Sequence, residues 1–159
     1  MTTTIPGALS PRQLAAEVRR LAASPGHWMS RVRLSAEGRW YERIHIDDTY
    51  EVWLISWLPG QATGFHDHGG SAGSFCVVWG ALEEHRVGTP ARPQPVTAGT
   101  VAAGQVRSFG PEFIHDVRNT SQAVAVSVHA YSPPLAQMTR YDLTAQGLMV
   151  LDAESAAQW

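Results

Sequence analysis

The sequence predicts an all-β fold, a sandwich or closed barrel of short strands with one helical segment near the N-terminus. Three observations carry this. From about residue 40, short runs rich in Val, Ile, Trp, Phe and Tyr alternate with Gly and Pro. Before that point, residues 10–23 follow helical and not strand spacing. With 44% hydrophobic and 16% charged residues in 159, the chain has enough apolar material for one core, and a net charge of −2 argues against disorder.

The helix has an N-terminal signature. Ser10 is the expected N-cap, Pro11 takes the first helical position and Gln13 completes a capping box. Leu14, Val18 and Leu21 form one apolar stripe, and Ser24-Pro25-Gly26 ends the segment. A strong strand is expected at Tyr50–Leu58. Its two faces, Trp53/Ile55/Trp57 and Val52/Leu54/Leu58, are both largely apolar, which predicts cover on both sides. Further strands are expected at Phe75–Trp79, Leu82–Val87, Gly99–Ala102, Val106–Phe109, Ile114–Arg118, Val124–Tyr131 and Met138–Leu143. The proline-bearing stretch 88–99 reads as a connecting loop, and Ala153–Trp159 as a helix-like tail.

Composition removes several chemistries. All twelve basic residues are arginine, so lysine Schiff bases and phosphate-loop lysines are excluded. The single cysteine, Cys76, excludes an internal disulfide and any four-thiolate metal site. The charge balance gives no case for nucleic acid, and no apolar run reaches the length of a membrane span. MTTTIPGALSPRQ has neither a basic nor an apolar leader region, so a cytoplasmic location is expected.

What remains is histidine, arginine, carboxylate and hydroxyl chemistry, and the histidines cluster. In Gly60-Gln-Ala-Thr-Gly-Phe-His66-Asp-His68, two imidazoles lie two residues apart. In extended chain they share a face, with Cα atoms roughly 7 Å apart, so both can reach one metal. A pair of surface histidines beside a glycine-rich loop is the alternative. A third histidine, His115, lies inside another expected strand, in Gly104-x5-Gly110-x-Glu112-x2-His115-x3-Asn119.

Together these segments resemble the paired motifs of the cupin superfamily. The first is matched at Gly60, His66, His68, Gly73 and Gly80, with glycine where that family usually has an acidic metal ligand. The second is matched at Gly104, His115 and Asn119, with Gly110 and Glu112 replacing its usual proline and second glycine. The resemblance implies a small jelly roll, a cupin-type β-barrel. We expect a single domain over 1–159, with the helical segment at 10–24 and the barrel at 40–143. Three neutral imidazoles without the acid can hold zinc, or ferrous iron beside an anionic substrate.

Thiol dioxygenases are cupins with three histidines and no acid, and the likeness to them runs from about Tyr41 to Leu135. Ser127-Val-His129-Ala-Tyr131-Ser-Pro-Pro resembles the Ser-x-His-x-Tyr relay and following Ser-Pro-Pro of the cysteine dioxygenase family. Ser127, His129 and Tyr131 alternate along one strand and share a face, opposite Val124, Val126 and Val128. Tyr41-Glu-Arg43 resembles the family's Tyr-x-Arg, in which arginine binds the substrate carboxylate; relatives acting on 3-mercaptopropionate usually have glutamine there. The family resemblance thus implies Fe(II) on His66, His68 and His115 and a carboxylate clamp at Arg43 beside Tyr41. It also implies a relay in which His129 orients Tyr131. The mammalian-type cysteine that cross-links to the relay tyrosine is Gly73 here. Cys76, three residues on, faces the other way, so no cross-link is expected and Cys76 reads as buried.

The implied reaction converts L-cysteine and O2 to cysteine sulfinic acid. Oxidation of a thiol to a sulfinate removes four electrons, the number one O2 accepts, so no organic cofactor is required. Expected partners are the small thiol and O2, with no nucleic acid, membrane or obligate protein partner. The alternatives are a dioxygenase of another small thiol acid (3-mercaptopropionate, mercaptosuccinate) and a non-catalytic or sugar-binding metal cupin. His27 and His85 read as surface or loop residues, while His45 shares a strand face with Arg43 and could border the pocket.

Overall fold

The computed structural model describes residues 7–89 and 92–156, the side chains of 89 and 92–94 excepted. Helix α1 (Pro11–Ala22) starts at Ser10, whose side chain accepts the Gln13 backbone N–H while the Gln13 side chain returns to the Ser10 backbone, as the capping box predicts. Two single 3-10 turns, Pro25–His27 and Met29–Arg31, lead into the first strand.

Among the described residues eleven strands follow: β1 (Trp40–Ile46), β2 (Glu51–Trp57), β3 (Phe65–His66), β4 (Ala72–Trp79), β5 (Ala81–Thr89), β6 (Arg92–Ala102), β7 (Val106–Phe109), β8 (His115–Arg118), β9 (Ala125–Ser132), β10 (Gln137–Thr144) and β11 (Gly147–Ser155). They form two antiparallel sheets. One has the order β1-β2-β9-β4-β7, the other β11-β10-β3-β8-β5-β6.

Register decides what each face of the five-stranded sheet carries. Trp53 lies opposite His129, Ile55 opposite Ser127 and Glu51 opposite Tyr131, while Phe75 and Gly73 of β4 oppose His129 and Tyr131 from the other side. Directly paired residues project to the same face, so these line the interior between the sheets. The alternate residues Val52, Leu54, Cys76, Val126, Val128 and Ala130 face outward and are covered by Leu14, Val18 and Leu21 of α1. That explains the two apolar faces of β2. Each large aliphatic side chain buried there stabilises the fold by roughly 1.5–3 kcal/mol relative to exposure.

Two expectations are corrected. Residues 88–99 are not a loop: β5 and β6 form a long hairpin paired from Ala81↔Ala102 to Thr89↔Arg92. Pro93 and Pro95 are tolerated because β6 is the outermost strand of its sheet, where an N–H can be lost without breaking an interior ladder. The tail is not helical through Ala153–Ser155, which finish β11. The turn at Gly147, with φ +112°, folds the chain back along β10 from Thr144↔Gly147 to Gln137↔Ser155. Trp159 lies outside the described residues.

Candidate metal centre

The six-stranded sheet brings two of the three histidines together directly: His66 of β3 is the register partner of His115 of β8. His68 follows β3 by two residues and returns to the same point. The ligand atoms of His66, His68 and His115 all lie within 4.8 Å of one another, and the three rings are buried.

Their hydrogen bonds set which nitrogen faces a metal. Nδ1 of His66 lies 2.9 Å from the Gly64 carbonyl oxygen, which can only accept, so Nδ1 carries the proton and Nε2 keeps its lone pair. His115 Nδ1 lies 2.9 Å from Oε1 of buried Glu84, giving the same tautomer and the carboxylate–histidine pairing typical of metal sites. His68 differs. Neither of its ring nitrogens makes a hydrogen bond of good geometry among the described residues; the Phe113 backbone approaches the ring, which is held by packing against Phe109 (centroids 4.6 Å apart) and Tyr131 (5.2 Å).

Burial holds His66 and His68 well below the ordinary histidine pKa, with mutual repulsion among the imidazoles adding to it. Three buried imidazoles converging on one point, with the ring nitrogens of His68 unmatched, are a donor set that suits a divalent transition metal. These residues fit a metal.

The missing acidic ligand has a steric counterpart. A Cβ built on Gly73 would lie 2.4 Å from the Phe109 ring and 3.0 Å from Tyr131. Glycine here makes room for the two rings that pack on His68, so the space next to the histidines is aromatic and not carboxylate. Cys76 points to the opposite core, where burial raises its thiol pKa.

Ser127, His129 and Tyr131 form a buried chain on the interior face. The indole N–H of Trp57 donates to Ser127 Oγ (2.8 Å), which lies 2.7 Å from His129 Nε2; His129 Nδ1 lies 3.3 Å from the Tyr131 hydroxyl. Indole is a donor only. Running the chain onward, Ser127 donates to His129 Nε2 and His129 Nδ1–H donates to the tyrosine oxygen, which leaves the phenol proton for the cavity. The reverse sense would give Ser127 two donors and no acceptor. Burial pulls the His129 pKa down to about 3 and pushes that of Tyr131 up, so both stay neutral across the physiological range.

The cavity beside this chain holds about 130 Å³ and is lined in part by His66, His115, His129, Tyr131, Tyr41 and Trp53. It lies below the ~300–1,000 Å³ of drug-sized sites, so its ligand is compact. Tyr41 reaches it, packing edge-on to Trp53 at 5.8 Å. Arg43 is not among its lining residues. Its guanidinium lies over the Trp53 ring (5.4 Å) and 3.3 Å from Oε2 of buried Glu51, which also accepts the Leu135 backbone N–H. A buried carboxylate one strand away thus takes Arg43's charge. His45 is also absent from the lining: a bulge between Arg43 and His45 shifts the register and pairs His45 with outward-facing Val52.

Several participants were not foreseen from sequence, among them Trp53 and Trp57, which read as core. Glu84 carried the trace of a signal, an acidic residue two positions after a core leucine in an expected strand. Phe109 was visible only as core, and Arg39, another lining residue, precedes β1 in irregular chain where no periodicity assigns a face.

The profile of the family described as cysteine dioxygenase type I matches residues 12–144. The chain belongs to this family. It is accordingly a cupin of thiol-dioxygenase type with a three-histidine metal-binding site. Solved structures agree on the fold. The chain is similar to TT1209 from Thermus thermophilus (22% identity, TM-score 0.57, 67% of this chain and 94% of that one). It is also similar to a conserved protein with a double-stranded β-helix domain from Klebsiella pneumoniae (18%, 0.57, 78% and 93%). An oxalate oxidase in complex with glycolate matches at 16% identity and TM-score 0.54, over 61% of this chain and 52% of that one. No helix among the described residues is long and apolar enough to cross a membrane.

Proposed function

We propose that this protein is a mononuclear iron thiol dioxygenase, oxidising a small thiol acid to its sulfinic acid, with L-cysteine the first-choice substrate. The observation that carries the reading is the juxtaposition of three buried, converging imidazoles with a hydrogen-bonded Ser127–His129–Tyr131 chain, His66, His115, His129 and Tyr131 sharing one compact cavity. A metal-binding cupin alone does not need the second feature.

Fe(II) held by His66, His68 and His115 would supply the redox centre at which thiol and O2 meet. The chain's own residues set the conditions. Glu84 fixes the His115 tautomer and its orientation, and Phe109 and Tyr131 fix the His68 ring. Tyr131, kept neutral by burial, offers its hydroxyl proton to substrate or oxygen, and His129 holds the phenol oxygen in place. Ile55 and Leu135 supply apolar lining, and Tyr41 packs edge-on to Trp53 at the half-exposed side of the cavity.

The test is oxygen uptake by anaerobically Fe(II)-loaded protein presented with L-cysteine, cysteamine, 3-mercaptopropionate and mercaptosuccinate, with the product identified by mass. One O2 consumed per sulfinate formed is the expected result. Turnover of another thiol with cysteine ignored would change the substrate and keep the reaction. No thiol-dependent uptake by fully iron-loaded protein would overturn the reading.

A further inference from the structure

The cavity contains two arginines, and their situations differ. Arg140 is neutralised: Nε and Nη2 donate to the two carboxylate oxygens of Glu154 (2.7 and 3.3 Å) and Nη1 to the Thr63 carbonyl (2.8 Å). Arg39 lines the same cavity with its guanidinium over the ring of fully buried Trp57, 5.2 Å from the centroid. Among the described residues it makes no ion pair and no side-chain hydrogen bond. The carboxylate whose charge reaches it, Asp116, is engaged by Arg118 (2.6 Å), and Glu154 in the cavity lining is engaged by Arg140.

A guanidinium in a cavity without a counter-ion is costly, because desolvation is not offset by an opposite charge. Burial, together with repulsion from Arg140, pulls its pKa down, and its charge is felt at His66, His129 and Tyr131. The indole N–H of Trp53, also in the lining, likewise has no acceptor. The cavity lining therefore includes one positive charge without a counter-ion, with a buried indole N–H that has no acceptor close by.

We infer that Arg39, not Arg43, anchors the anionic group of the substrate. This rests on the thiol-dioxygenase reading. The planar guanidinium supplies the bidentate geometry a carboxylate accepts, and the incoming carboxylate completes the missing ion pair. A second carboxylate would have to compete with Glu154 for Arg140. A thiol amine without a carboxylate would leave Arg39 unpaired.

The experiment compares Arg39→Gln, Arg39→Lys and Arg43→Gln on two readouts. These are oxygen-uptake kinetics of the Fe(II) enzyme, and calorimetric binding of 3-mercaptopropionate to anaerobic Fe(II) protein. Arg39→Gln is expected to raise KM for L-cysteine and 3-mercaptopropionate, and Kd for the latter, about ten- to hundredfold. KM for cysteamine should move by less than about twofold, and Arg39→Lys should recover part of the loss. Arg43→Gln, which strips the partner from buried Glu51, should lower the thermal midpoint and raise those KM values less than Arg39→Gln does. An unchanged KM and Kd in Arg39→Gln, an equal loss for cysteamine, or the reverse ranking of the two arginines overturns the assignment. If no thiol supports oxygen uptake yet 3-mercaptopropionate binding still weakens in Arg39→Gln, the anchor stands and the dioxygenase reading alone fails.

Discussion

The two faces of the five-stranded sheet are built from the same strands by alternate residues, and they share almost nothing else. Outward, Val52, Leu54, Cys76, Val126, Val128 and Ala130 meet the Leu14/Val18/Leu21 stripe of α1 in a hydrocarbon core. Inward, Ser127, His129 and Tyr131 of the same β9 meet Trp53, Trp57 and Phe75, and the cavity. A single residue of sequence separates a position that serves stability from one that serves the site. Strand parity is thus the device by which a small domain keeps a polar, unsaturated interior on a sheet anchored by its other face.

The largest test breaks the inner face. His115→Ala should reduce iron stoichiometry and thiol-dependent oxygen uptake to background, well beyond the ~100-fold that outer-shell changes produce, while leaving the strand content seen by circular dichroism intact. The converse change, Leu14→Ala on the outer face, should cost about 3 kcal/mol in denaturant unfolding and leave the iron content of folded protein unchanged. Glu84→Gln removes the charge behind His115 without emptying its place. Metal affinity, read by chelator competition, should fall about 10- to 100-fold.

Acid supplies a fourth test. The buried His129 titrates near 3 in the fold, against about 6.5 in an unfolded chain. Between these values the unfolded state binds more protons, so the His129 contribution is complete above pH 6.5 and is lost as pH falls towards 3. The slope is up to about 1.4 kcal/mol per pH unit. His129→Gln should flatten this slope and Leu14→Ala should not. The smallest effect is expected at Cys76: Cys76→Ala should cost about 1 kcal/mol, leave turnover unaltered, and the native thiol should resist alkylation until the chain unfolds.

Parity was legible before any coordinates. The His66/His68 spacing, the alternation Ser127/His129/Tyr131 and the opposite phase of Cys76 all follow from a period of two, and β2 announced its two covered faces. What was not legible depended on partners distant in sequence. Arg43 has the right phase for the interior, but Glu51, eight residues away across the β1–β2 turn, takes its charge. Arg39 lies outside any regular element, and its significance comes from lacking what Arg43 has. The β5–β6 hairpin was hidden by prolines whose cost vanishes at a sheet edge, a fact that sheet order alone reveals.

The hydrogen-bonded chain behind Tyr131 ends at the indole of Trp57, which is fully buried and gives up no proton in the physiological range. Nothing at that end can receive a proton or pass one to bulk water. The chain is a cul-de-sac, a brace and not a wire. Under the proposed reaction, a proton lent by Tyr131 to the cavity comes back to it from the cavity, so the chemistry on that side closes its own proton balance before product leaves.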